Sequence, residues 1–412
     1  MSAVPAAVEK LDTSSSKESV PKESPPKESP RNESPAARKK TSRQRKEHFQ
    51  STCTRKSAED NGAEPVPFEP IVEPRLPKKK VALLLGFNGT GFQGMQINPT
   101  ARSIESEVFE ALCKAGAVSQ NNAVDPKKVQ LMRAARTDKG VHAAGNIISL
   151  KMIVEDPDIV KKVNSHLSEQ IRVWGFVETQ RSFHAKNMCD SRVYEYLLPT
   201  YAFMKPAKKE YYTAPTSETD LRITSNVNDE VRYVALSTKE EMAEKYTYRI
   251  SPENLDNFRK AMACFQGTHN FHNYTIGQSY TDKSSNRYMI SIQVDDPFCI
   301  HGMEWLSIKL HGQSFMLHQI RKMISMALLT VRSETPLSII PKTFASAKVN
   351  IPKAPALGLL LERPIFTVYN RKVEEKGERQ QIDFDVYKDT IDDFKKRWIY
   401  DKIFENEKAE QV

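Results

Sequence analysis

Proline and charge crowd the first 77 residues so densely that a packed core can begin only where they end. Lys-Glu-Ser recurs at Lys17, Lys22 and Lys27, and Asn-Glu-Ser follows at Asn32, a five-residue period laced with prolines. Apolar side chains are too sparse there to offset the entropy of ordering, so the stretch reads as a disordered basic, Pro-rich tail. The cluster at 38–46, Arg-Lys-Lys-Thr-Ser-Arg-Gln-Arg-Lys, fits a nuclear-import signal, an RNA-binding arm or a plain solvated charge run. Net charge is +9, and residues 1–80 hold 17 Lys/Arg against 12 Asp/Glu, which leaves the remainder mildly basic, as a polyanionic partner would require. The five cysteines are scattered, without a C-x-x-C pair, which argues for a reduced intracellular compartment and against a disulfide frame or structural zinc. The apolar run at 81–85 is too short to span a bilayer, and no secretory layout is seen near Met1, so a soluble protein without membrane association is expected.

Beyond the tail, strands are predicted at 80–87, 146–153, 173–177, 193–198, 288–294, 304–310 and 359–368. A helix capped by Ser103 runs through Lys114, with Glu105 and Glu107 in its first turn. A second opens at Asp156-Pro157 with Ile159, Val163, Leu167 and Ile171 on one face, and a third at Ser251-Pro252 with Phe258 and Met262 inward. A helix at 316–332, a short one at 341–347 and an amphipathic one at 388–409 complete the pattern. Strands and helices mix without strict alternation, so the fold class expected is α+β: two pseudo-repeated halves sharing a long mixed, largely antiparallel sheet, helices on one face and a cleft between the halves. The divisions are a tail at 1–77, an N-terminal half at 78–203, an insertion of no clear period at 204–250, a C-terminal half at 251–370 and an extension at 371–412.

Five runs carry chemistry. Arg136-Thr137-Asp138-Lys139-Gly140 places a carboxylate at a turn between two cations; a charged, fixed carboxylate can be nucleophile or base, and otherwise it caps the next element. Gly89-Thr90-Gly91-Phe92-Gln93-Gly94 matches G-x-G-x-x-G, but its helix opens some ten residues too late for a dinucleotide site, so close backbone approach is expected instead. Gly267-Thr268-His269-Asn270-Phe271-His272-Asn273-Tyr274 suits base stacking or packing; His269 and His272 lack a third metal ligand. Arg321, near the start of a mostly apolar helix, needs an acid if buried, with Asp138 the candidate, or snorkels to water. Tyr194 and Tyr196 share one strand face, for packing or for stacking on an extruded base.

Together with Phe315-Met316-Leu317-His318-Gln319-Ile320-Arg321-Lys322-Met323 and Lys353-Ala354-Pro355-Ala356-Leu357-Gly358, these runs stand in the order found in the tRNA pseudouridine synthases of the A (TruA) type, which the chain resembles over roughly 78–369. The 315–323 wording looks like the family's eukaryotic branch. The resemblance implies an isomerase that breaks the uridine N1–C1′ bond, turns the base and rejoins it through C5, acting chiefly on tRNA near the anticodon stem and also on snRNA or mRNA. It implies Asp138 as the catalytic aspartate attacking sugar or base, Arg136 as the residue displacing the target base, Tyr194 stacking on it, and Arg321 pairing with Asp138. Lys139, His318 and Lys322 are added as candidate RNA contacts. No cofactor, metal or nucleotide is expected, and the nucleus is the expected compartment, with a mitochondrial pool as alternative. Two other classes compete: a noncatalytic RNA-binding module or chaperone, and a dinucleotide-dependent oxidoreductase.

Overall fold

The computed structural model describes residues 76–410 apart from 99, 206–220, 228–229, 236–237 and 378, with only the backbone described within 221–235. The tail at 1–75 and its basic cluster lie outside the described residues. The core is a ten-stranded sheet of β1 (Lys79–Phe87), β2 (Met132–Arg133), β3 (His142–Met152), β4 (Ile171–Glu178), β5 (Ser191–Pro199), β8 (Gly267–Asn270), β9 (Asn286–Val294), β10 (Phe298–Ile300), β11 (Met303–Gly312) and β12 (Leu359–Ile365), in the order β4-β1-β3-β12-β5-β11-β9-β8 with β2 on β3 and β10 on β11. β12 runs parallel to β3, and the other pairings are antiparallel. β12 lies between β3 and β5, and β5 between β12 and β11, so strands from the expected N-terminal and C-terminal halves alternate at the centre of one backbone ladder. β6 (Leu221–Val227) and β7 (Glu230–Ala235) form a separate hairpin inside the expected insertion.

Helices α1 (Ile104–Lys114), α2 (Ile159–Ser165), α4 (Pro252–Ala263) and α5 (Gln319–Arg332) bury their apolar stripes on one face of the sheet, in one continuous cluster that includes Val81, Leu83, Leu85 and Phe87 of β1. Ser103 closes a full capping box on α1, satisfying two donors at its N-terminus. The inserted segment ends in α3 (Lys239–Thr247), started by a second capping box, Thr238 with Glu241.

The expectation of helices on one face is corrected. α6 (Thr367–Lys376), α7 (Lys388–Phe394), a π-helical stretch Lys395–Tyr400 and α8 (Asp401–Glu410) cover the opposite face, burying Tyr369, Ile391, Phe394, Ile399 and Ile403 with Ala82 and Leu84. The physical cause lies in β1: both parities of Val81-Ala82-Leu83-Leu84-Leu85 are apolar, and a strand buried on both sides needs a second cover.

Three boundaries also move. α2 ends at Ser165 because Asn164 bonds the Val173 backbone in both directions (2.8 and 2.9 Å), turning the chain into β4 with Ile171 in it. The Val368 N–H is capped by Asp190 (2.9 Å), so helix, not strand, follows Ile365. α5 begins at Gln319 rather than near Met316, because Gln319 Oε1 accepts the Met316 N–H (2.9 Å) and His318 takes φ +63°.

Candidate active site

The register of the sheet builds the site. Ala143, Leu361, Tyr194 and Leu310 form one row across β3, β12, β5 and β11. Tyr194 therefore faces the turn that enters β3. Ahead of that turn, the fully buried Asn146 accepts the Ala135 N–H (3.3 Å) and donates to the Ala135 carbonyl (3.0 Å), fixing the approach. Gly140 takes φ +75°, and Val141 N–H closes the turn onto the Asp138 carbonyl (3.2 Å).

The glycine-rich run braces this turn from behind. Met95 N–H donates to Thr137 O (3.2 Å), Gly140 N–H to Phe92 O (3.3 Å) and Gly89 N–H to His142 Nδ1 (3.1 Å). A Cβ on Gly94, at φ +90°, would stand 2.6 Å from the Thr137 carbonyl, and one on Gly89 would collide with that of Val141. The glycines serve close backbone approach, as the late helix suggested.

Asp138 is one-third exposed and faces a cavity of about 290 Å³ with Arg136, Tyr194, Phe315, His318, Gln93 and Leu359 in its wall. Its Oδ2 lies 3.2 Å from His318 Nδ1. Burial holds the His318 imidazole below its ordinary pKa, helped by Lys353 and Arg321 and opposed by Asp138, so the ring is neutral at pH 7. Tyr194 is buried and meets Phe315 edge to face (5.0 Å, 76°). Burial raises its phenol above the usual range, which keeps the proton on the oxygen.

The expected pairing of Arg321 with Asp138 is corrected. Arg321 Nε donates to Ala354 O (2.6 Å) while Ala354 N–H returns to Arg321 O (3.2 Å), so the planar head is fixed on the 353–358 loop. Asp138 feels its charge, but the contact itself is taken by His318.

Arg136 and Lys139 are exposed and make no ion pair among the described residues. Lys322, expected as an RNA contact, is buried instead, and its Nζ donates to the carbonyls of Asn273 and Thr275 (both 3.1 Å), tying α5 to the 267–274 run. Desolvation is tolerated because these two carbonyls solvate the ammonium. In that run Phe271 and Tyr274 pack in the core with Phe265 and Phe344, and His269 stacks on Phe344 (4.3 Å, 13°). Sequence reasoning passed over Gln93, Phe315 and Arg192 as site residues, although Gln93 and Phe315 stand inside quoted motifs and Arg192 lies two residues before Tyr194.

A carboxylate at a braced turn, faced by a neutral phenol and a guanidinium that makes no ion pair among the described residues, lines a cavity large enough for a nucleoside, where a fixed carboxylate can act as nucleophile or base. Residues 261–367 match the family model described as tRNA pseudouridine synthase. The chain is 46% identical over 388 residues to tRNA pseudouridine synthase 1 of Yarrowia lipolytica, covering 82% of this chain and 74% of that protein. Identity is 44% to tRNA pseudouridine synthase 1 of Saccharomyces cerevisiae (81% and 68% covered) and 37% to the Pseudouridylate synthase 1 homolog of Mus musculus (82% and 72%). The chain belongs to the tRNA pseudouridine synthase family, and its enzyme class is isomerase.

Proposed function

We propose that this protein isomerises uridine to pseudouridine in tRNA with Asp138 as the catalytic residue. The observation that carries the assignment is the Asp138 carboxylate in the 290 Å³ cavity, touched by one neutral imidazole and otherwise open toward Tyr194 and Arg136. A carboxylate meant for structure would be saturated with donors.

The reaction balances within one nucleoside. The N1–C1′ bond breaks, the uracil turns, C5–C1′ forms, the C5 proton leaves and N1 gains a proton. Asp138 supplies the oxygen that bonds the sugar or the base while the glycosidic bond is open. Extruding the uridine costs a few kcal/mol. Arg136, exposed and without an ion pair among the described residues, can occupy the place the base leaves, and the Tyr194 ring offers a face to the base within the cavity. The un-ionised Tyr194 phenol adds no negative charge beside the Asp138 oxygen. Arg321 acts at a distance, biasing the pocket positive.

Action near the anticodon stem, on snRNA or mRNA, and in the nucleus rests on the resemblance and on the basic cluster at 38–46. Mapping pseudouridines in RNA from cells lacking the protein tests the first two, and imaging a fusion with that cluster replaced by alanines tests the third. For the chemistry, Asp138→Asn must bind tRNA as tightly as wild type and form no pseudouridine; product at an undiminished rate overturns the assignment.

A further inference from the structure

Beside the catalytic cavity lies a second and larger one, of about 690 Å³, and the two share the wall formed by Gln96, Arg136, Tyr194 and Phe315. Among the described residues no carboxylate lines it, while Arg136, Lys186 and Arg192 do. Arg133 also reaches this wall, but its charge is met from behind by the fully buried Glu105. Three cations in one concavity, none in an ion pair among the described residues, attract an anion.

Arg192 is set in place before any ligand arrives. Its Nη1 donates to Gln313 O (2.9 Å) and its Nη2 to Ala134 O (3.0 Å), bridging the ends of β11 and β2. Of its five N–H groups, three stay unused in a head whose orientation is already fixed. Lys186 stands exposed on the short helix Ala185–Met188, without a partner among the described residues.

We propose that this chamber takes the nucleotide adjoining the target uridine, its phosphate on Lys186 and Arg192 and its base in the remaining volume toward Met132 and Phe315. The inference rests on the reading of the first cavity as the uridine site. A strand whose base fills that cavity passes its neighbour over the shared wall, because the backbone links the two. The volume exceeds what a phosphate alone occupies. Phosphate contacts fix register, and the enclosed base makes the rate depend on local sequence. The chamber is thus a specificity-determining subsite.

The test uses tRNA carrying one neutral methylphosphonate, either 5′ or 3′ of the target uridine, in single-turnover assays with wild type and Lys186→Ala. One of the two substitutions lowers the wild-type rate constant over Kd about tenfold and has no further effect on Lys186→Ala; which of the two does so identifies the neighbour as 5′ or 3′. An abasic residue on the same side slows the wild type as well. Losses that multiply independently, or two methylphosphonates without effect, overturn the proposal. Wild-type turnover of unmodified tRNA in the same assay keeps that failure separate from a failure of the proposed function, which Asp138→Asn reads.

Discussion

Glu195 and Asp138 are both acidic, both held near the middle of the sheet, and treated in opposite ways. Glu195 is 2% exposed on β5, next to Tyr194 but pointing to the other face. Lys395 Nζ (2.7 Å) and Tyr400 Oη (2.7 Å) donate to its Oε2, and Ser307 Oγ (2.7 Å) donates to its Oε1. Lys395 also holds Glu362 (2.6 Å). Burial alone would lower the Lys395 pKa; the two carboxylates outweigh it and hold the ammonium above its usual range. The backbone cooperates. Lys395 and Tyr400 are five residues apart, which in an α-helix leaves them about 140° apart, and the π-helical stretch brings both to Glu195. Asp138 has one contact and an open cavity. The difference separates a carboxylate whose valences are spent on the fold from one whose valences are kept for a substrate.

The sharpest break of that contrast is at the active site. Asp138→Asn lowers the rate of pseudouridine formation by at least about 10³-fold, as loss of a nucleophile does. Its melting temperature stays within a degree or two of wild type, because only His318 loses a contact. A variant that unfolds would show that Asp138 carries the fold, as Glu195 does.

The mirror experiment is Lys395→Met. It leaves Glu195 and Glu362 facing each other without their cation, and removing one member of a buried pair costs about 3–5 kcal/mol. Urea denaturation reads the loss directly. Activity per folded molecule changes less than about twofold if the far face only anchors the C-terminal helices. A large fall in activity with unchanged stability would place Lys395 with Asp138 rather than opposite it.

A smaller effect tests the brace. Gly94→Ala brings a methyl group against the Thr137 carbonyl at a positive φ, so the turn must shift. Strain of about 1–3 kcal/mol follows, and a displaced carboxylate lowers the rate by about 10–100-fold. Gly91→Ala is the control: its Cβ meets nothing within 4 Å, although its φ of +85° is also positive, so it isolates backbone strain from collision.

What the sequence made legible was whatever a local rule controls. Ser103 and Ser251 declared their helices because a hydroxyl before an amphipathic run has one obvious use. The turn at Asp138 declared itself through its Asp and Gly. The second sheet face did not, although Val81-Ala82-Leu83-Leu84-Leu85 breaks the alternation a half-buried strand would keep, and Ile391, Phe394, Ile399 and Ile403 of the C-terminal extension were there to cover it. Lys322 was expected to contact RNA; the carbonyls of Asn273 and Thr275 that hold it come from some 50 residues away. Arg321 was expected on Asp138 because a buried cation needs an acid, yet one backbone carbonyl and a nearby charge suffice. In each case the deciding partner is remote in the chain, where periodicity carries no signal.

The smallest expected effect concerns pH, and it links the brace to stability. His142 is fully buried at the start of β3 and accepts the Gly89 N–H on Nδ1, so its proton sits on Nε2 and the ring is neutral. Burial lowers its pKa from 6.5 to about 4, with the Leu357 backbone opposing. The unfolded chain takes up a proton near pH 6.5, whereas the folded one resists until about pH 4. Stability from this group is therefore complete above 6.5 and lost as pH falls toward 4, by about 2 kcal/mol at pH 5. His142→Gln, which cannot titrate, removes that slope. Denaturation midpoints at pH 7 and pH 5 compare the two proteins, and an equal acid loss in both would assign the slope to other groups, His272, His311 and His318 among them, whose pKa values burial also lowers. Because the same ring holds Gly89 beneath the Asp138 turn, the acid limb of activity should follow the acid limb of stability in the wild type and separate from it in the variant.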